Sequence, residues 1–174
     1  TLEVRDNFHD SPAMRKNLAT YYAMIENLDW NIGRLNECLQ SQPGFENTLQ
    51  VYFSDHGDYM GSHGVFNMKE HPHEESVRIP AVFHWPGVIP AQGQVDGLFS
   101  LVDLMATTLG LVGRDVPVWS QGTDFAPQLR GEAFTPPNDV LLEMVGSPRW
   151  NLSMPDWRGL VSERWKYAFI ENRI

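Results

Sequence analysis

Cysteine is nearly absent: Cys38 is the only one in 174 residues. An intrachain disulfide is therefore excluded, and the redox compartment stays open. Positive charge is scarce as well, with 13 Lys and Arg against 22 Asp and Glu and a formal net charge of −9. That balance argues against a nucleic-acid surface, which needs clustered basic residues. It does not exclude an anionic substrate, because a metal ion and one local lysine can set the field at a site. No apolar run approaches the ~20 residues of a membrane-spanning helix. No signal-peptide pattern opens the chain. Since the chain starts at Thr1 rather than at a Met, that absence excludes nothing. Internal repeats and low-complexity tracts are missing too. What is present, 42% hydrophobic residues, suffices for a domain with a real core.

The hydrophobic pattern alternates between helical and strand periods. Residues 1–10 lack periodicity and read as a loop. Ser11-Pro12 is a helix start, with Ser as cap and Pro at the first helical position. Leu18, Tyr21, Tyr22, Ile25, Leu28, Ile32, Leu35 and Leu39 then recur at helical spacing, predicting a long amphipathic helix that ends near Ser41, before Pro43-Gly44. Asp29 falls on or near its apolar stripe, as a boundary residue paired with a neighbouring donor. Cys38 lies beside Leu35 and Leu39 and reads as a buried, inert thiol. Alternation predicts strands over 48–53 and 79–85, and a helix over 98–113 closed by Gly113. Residues 114–138 are irregular. Three further strand candidates follow at 140–145, 159–162 and 166–170. Strands mixed with helices in this way indicate an α/β chain.

The chemistry concentrates between Ser54 and Pro80, SDHGDYMGSHGVFNMKEHPHEESVRIP. These 27 residues hold four His, two Asp, three Glu, one Lys, one Arg and three Gly. Asp55-His56-Gly57 sits where the first strand ends, and open α/β sheets bind ligands beyond the carboxyl ends of their strands. A carboxylate beside an imidazole there reads either as a hydrogen-bonded turn or as half of a metal site. Gly57, Gly61 and Gly64 permit tight turning and close approach of backbone to a ligand. Lys69 offers one positive charge to an anion, or is simply a solvated lysine. His63 reads equally as a residue facing substrate and as a brace for the loop through a backbone hydrogen bond. His71 reads as solvated and His84 as structural. Glu74 and Arg78, four apart, read as an ion pair on a short helical turn. Trp119, Trp150 and Trp157 lie in irregular stretches, where packing is the simpler reading and sugar stacking the sharper one.

The order of these pieces resembles the sulfatase family of the alkaline phosphatase superfamily. The residues that carry the resemblance are Ser54–Gly64 (SDHGDYMGSHG), Asn67-x-Lys69 and His73–Pro80 (HEESVRIP). They look like that family's strand end, metal loop, substrate lysine and downstream helix entry. TYYAMIENLDWNIGRL is similar to the family's preceding helix, SLVDLMATTLGLVG to its later helix, and WRGLVSERWKYAFIENR to the start of its smaller C-terminal sheet. The resemblance implies part of an alkaline-phosphatase-like α/β/α sandwich, with residues 1–135 in the catalytic α/β domain and 136–174 opening the C-terminal subdomain. It implies Asp55 and His56 as metal ligands, Lys69 at the sulfate ester, Ca²⁺ as the metal, and a sulfated sugar or small molecule as substrate; His63 is a second catalytic candidate only on the reading above that it faces substrate. The sequence departs from the family at two points. Counted from Asp55, Lys69 stands one residue late, which an extra residue within Val65–Met68 explains. His73 stands where the family usually has Tyr or Phe.

The family's nucleophile, a formylglycine made within C/S-x-P-x-R, has no counterpart here. Cys38 does not fit that pattern, and in Ser153-Met154-Pro155-Asp156-Trp157-Arg158 the Arg comes one position late. The formylglycine and further ligands are expected outside this chain. Ligand counting agrees. Asp55 and His56 supply at best three of the roughly six to eight ligands that Ca²⁺ takes. A central parallel sheet buried on both faces also needs more strands than the two clear ones here. The expectation is a portion of a longer enzyme, inactive without the remainder. A phosphomonoester, phosphodiester or phosphonate ester hydrolase of the same superfamily, with Zn²⁺ or Mn²⁺, is the alternative. A non-catalytic standalone domain is the third reading.

Overall fold

The computed structural model describes residues 11–64, 69–91, 93–145 and 156–170. They fall into two compact units, Thr1–Pro86 and Gly87–Ile174. In the first unit, α1 runs Pro12–Gln40. Its start follows from the local sequence: the Met14 N–H donates to Ser11 Oγ at 3.1 Å, and Pro12 supplies the preset φ of a first helical residue. Such a cap contributes about 1 kcal/mol. Ser41 closes the helix, its N–H reaching back to the carbonyls of Glu37 and Cys38. Met14 is buried, but Tyr22, Ile25, Leu28 and Leu35 of the apolar stripe are exposed. Cys38 is exposed too, not buried as the periodicity predicts. Asp29 is likewise exposed.

Strands β1 (Gln50–Phe53) and β2 (Ala81–His84) pair in register Gln50↔His84 to Phe53↔Ala81, and the pairing is antiparallel. The reason is the connection. A parallel pair needs a crossover connection, usually a helix, and among the described residues the intervening chain holds a 3-10 turn at Ser62–Gly64 and the single turn α2 (Glu74–Val77). It folds instead as a wide hairpin loop, closed where the Ser54 N–H donates to the Pro80 carbonyl. His84 pairs its Nδ1 with Gln50 Nε2 across the ladder at 3.1 Å, the structural role expected of it.

The second unit contains α3 (Asp103–Leu111), the turn α4 (Ala126–Leu129) and a three-stranded antiparallel sheet in the order β3-β4-β5. The helix is shorter than its hydrophobic pattern, because Asp103 Oδ2 accepts the Ser100 N–H at 2.8 Å and closes a separate turn before it. Asp103 is 4% exposed, and its Oδ1 also accepts the Thr123 N–H at 2.7 Å. One turn on, the fully buried Thr107 accepts the Phe125 N–H at 3.1 Å. A carboxylate and a hydroxyl one turn apart thus tie residues 123–125 to the helix, and Phe99, Phe125 and Phe134 pack beside that tie. The sheet comprises β3 (Asp139–Met144), β4 (Trp157–Ser162) and β5 (Lys166–Ile170). Trp157 is not in an irregular stretch but on β4, opposite Met144 and Ile170, and is buried. Trp119 is exposed, and Trp150 lies outside the described residues.

Candidate active site

The carboxyl end of β1 delivers Ser54, Asp55 and His56 into the loop. Three local bonds set their geometry. Ser54 Oγ donates to the His56 carbonyl at 2.8 Å, the His56 N–H donates to Asp55 Oδ1 at 3.0 Å, and His56 Nδ1 lies 2.9 Å from the Gly57 carbonyl. A carbonyl only accepts, so the ring proton belongs on Nδ1. His56 Nε2 then carries a lone pair, and it faces Asp55 Oδ2 at 3.5 Å. Two acceptors converging in this way repel unless a cation lies against both or the ring is protonated. Asp55 is 80% exposed, so the pair opens outward. A hydrogen bond from the far ring nitrogen to a carbonyl is also what orients a metal-ligating histidine. The donor set fits a divalent cation, as two ligands of a larger set. Among the described residues, no group of three or more His, Cys, Asp or Glu could hold a metal.

The turn α2 mounts this loop. The Gly57 N–H donates to the Ser76 carbonyl at 2.8 Å, and a Cβ on Gly57 would overlap the Glu75 carbonyl oxygen. Only the residue without a side chain allows that approach. Ser76, 2% exposed, donates its Oγ to the Lys69 carbonyl. One buried serine therefore holds both the segment that follows His56 and the backbone of Lys69. Lys69 itself is exposed. The extra residue expected within Val65–Met68 lies outside the described residues.

Behind the loop is a cluster of rings. Tyr59 is 1% exposed and its hydroxyl bonds His73 Nδ1 at 2.7 Å. Burial, more than any charge, pushes the Tyr59 phenol up to about 12. His63 stacks on His73 with centroids 4.3 Å apart and 27° between planes, and His63, His71 and His73 all meet the Tyr59 ring nearly edge-on. His71 is not solvated. Its Nδ1 is buried without a hydrogen-bond partner, and desolvation lowers its pKa. His63 does brace the loop, but through a side chain rather than backbone: its Nε2 lies 3.1 Å from Glu75 Oε1. The side-chain contact seen on α2 is thus Glu75 with His63, while Glu74 and Arg78 are joined by the backbone bond from the Arg78 N–H to the Glu74 carbonyl at 2.9 Å. Glu75 is held below the ordinary carboxylate range chiefly by its own backbone N–H, which burial opposes and His63 and His73 reinforce.

Asp55 and His56 therefore stand together, Lys69 is tied to their loop through Ser76, and His63 is tied to the same turn through Glu75. Sequence reasoning missed Tyr59, Glu75 and Ser76. The double acid before Ser76 was the available signal for Glu75, whereas a loop aromatic carries no periodic signal.

Comparison with known proteins follows the same residues. A family model described as Sulfatase matches residues 3–114, and one described as N-sulphoglucosamine sulphohydrolase, C-terminal, matches residues 61–170. The chain is 37% identical over 116 residues to an N-acetylglucosamine-6-O-sulfatase of Bacteroides thetaiotaomicron, covering 67% of this chain and 21% of that protein. It superposes with a TM-score of 0.79 and 30% identity on a solved structure in complex with its substrate D-glucosamine-2-N,6-O-disulfate, covering 88% of this chain and 31% of that one. A phosphonate monoester hydrolase of Agrobacterium radiobacter shares the fold, with a TM-score of 0.75 at 24% identity over 86% of this chain and 32% of that one. The chain spans less than a third of the length of these relatives.

Proposed function

The chain belongs to the sulfatase family, and from that premise we propose that it supplies the metal-binding and sulfate-binding loop of a sulfuric ester hydrolase whose chain is longer. The observation that carries the proposal is the Asp55–His56 pair beyond β1, two acceptors 3.5 Å apart and open to solvent. Asp55 and His56 Nε2 are two ligands of a divalent cation. Ca²⁺ is the family's expectation, while the imidazole suits Zn²⁺ or Mn²⁺ better. When bound, the cation polarises sulfate oxygens as a Lewis acid. Lys69 holds the anionic ester and offsets charge developing on the leaving oxygen. His63 meets the substrate through its ring. A formylglycine nucleophile comes from outside residues 1–174.

The preference for sulfate over phosphate rests on family membership and on the named activities of the relatives. The likeness to a phosphonate hydrolase concerns the fold. Sulfated amino sugars are the substrate class, on the strength of the two sulfated-sugar relatives. We read residues 1–135 as part of the catalytic domain and 136–174 as the opening of a smaller C-terminal subdomain, whose first strand is β3.

The test is turnover by the full-length enzyme that carries these residues. Sulfate release from a sulfated glucosamine or an aryl sulfate should exceed phosphate release from the matched phosphate or phosphonate ester. Chelation, Asp55→Ala and Lys69→Ala should each abolish it. Preference for the phosphorus esters would overturn the reading.

A further inference from the structure

His63 sits in an unusual backbone state, and one neighbour decides what its ring can do. Its φ of 56° is left-handed, a conformation that L residues with a side chain rarely adopt. Residues held there against strain cluster at functional sites. Two contacts fix the ring: one face lies on His73, and Nε2 reaches Glu75 Oε1. Among the described residues, Nδ1 has no hydrogen-bond partner.

We propose that Glu75 is a positioning residue that sets the proton of His63. The argument is one of donors and acceptors. Glu75 is ionised, held in that form by its own backbone N–H and by the His63 ring. An ionised carboxylate only accepts, so the hydrogen between the two must belong to His63 Nε2. Nδ1 is thereby left as the ring nitrogen that meets a substrate, with a lone pair when the ring is neutral. Around the dyad stand His73, stacked on the His63 ring and acting on Glu75, and His71, which interacts electrostatically with His63. A carboxylate that fixes the tautomer of a catalytic imidazole is a recurring device in hydrolases. It is distinct here from simple bracing, because α2 is already held to the loop by the Gly57–Ser76 backbone bond and by Ser76 Oγ.

This inference rests on the proposed placement of His63 at the substrate, and one substitution separates the two. Glu75→Gln keeps the size and a hydrogen bond, but its amide can donate to Nε2 and so move the proton to Nδ1. In the full-length enzyme, Glu75→Gln should lower kcat by on the order of 100-fold, close to His63→Ala. Glu75→Asp, which still only accepts, should recover part of that loss. The ¹⁵N shifts of the His63 ring should show the Nε2–H tautomer in the parent and a shift toward Nδ1–H in Glu75→Gln. Full activity and an unchanged tautomer in Glu75→Gln would overturn the inference while leaving His63 in the site. Full activity in His63→Ala would overturn the placement of His63 itself.

Discussion

Asp55 and Asp103 are both aspartates at the margin of a regular element, and they are used in opposite ways. Asp103 is 4% exposed, and each of its oxygens accepts a backbone N–H from a separate segment. Asp55 is 80% exposed; one oxygen accepts the N–H of the next residue and the other faces the lone pair of His56. A carboxylate with all its demands met inside the chain is a structural tie. One that shares open space with a second acceptor still needs something positive. The difference separates a carboxylate spent on the scaffold from one left open to a ligand.

Asp103→Ala should produce the largest stability effect. It leaves the Ser100 and Thr123 N–H groups without their acceptor, at a combined cost of about 3 kcal/mol. Thermal unfolding would read this as a clear drop in Tm. Asp55→Ala should leave Tm within the ordinary range of a surface change, while weakening divalent metal binding by the full-length enzyme by at least about 100-fold, since outer-shell changes alone reach that size. Equal destabilisation by the two substitutions would break the comparison. Thr107→Val preserves shape and orphans the Phe125 N–H, so a loss of about 1–2 kcal/mol is expected in urea unfolding. The smallest effect is on pH dependence. His71 and Glu75 both have lowered values, so the stability they contribute is complete above their ordinary 6.5 and 4.5 and is lost as pH falls below those points. Tyr59 acts at the other end: its contribution is complete below 10 and is lost as pH rises toward about 12. His71→Phe should remove the limb that begins near 6.5, and a Tm–pH profile unchanged by it would show that the buried ring is not what titrates.

Much of this was legible in the chain itself. α1 begins where Ser11-Pro12 predicts and stops within a residue of Ser41, because caps and proline act locally. β5 lies where alternation puts it, β1 and β2 fall within their predicted runs but start two residues later, and β4 starts two residues earlier, at Trp157. The Asp55–His56 pair could be found because its chemistry lies in adjacent residues. What could not be read is what depends on distant partners. Cys38 sits on a helical stripe that looks like core, yet exposure depends on what covers the stripe. His71 reads as solvated from sequence, yet its ring packs near those of Tyr59 and His73 and its Nδ1 is buried. The antiparallel sense of β1 and β2 is not written in either strand, since strand periodicity carries no direction.

Gly57 has a consequence for how such chains vary. Its place is fixed by the Glu75 carbonyl rather than by a left-handed backbone, so no side chain of any size is admissible while α2 stays where it is. An alignment of relatives that keep this turn should show position 57 as glycine even where residues 55 and 56 have changed identity. That invariance would record a distance between two segments eighteen positions apart, and would persist in members that had lost the chemistry altogether.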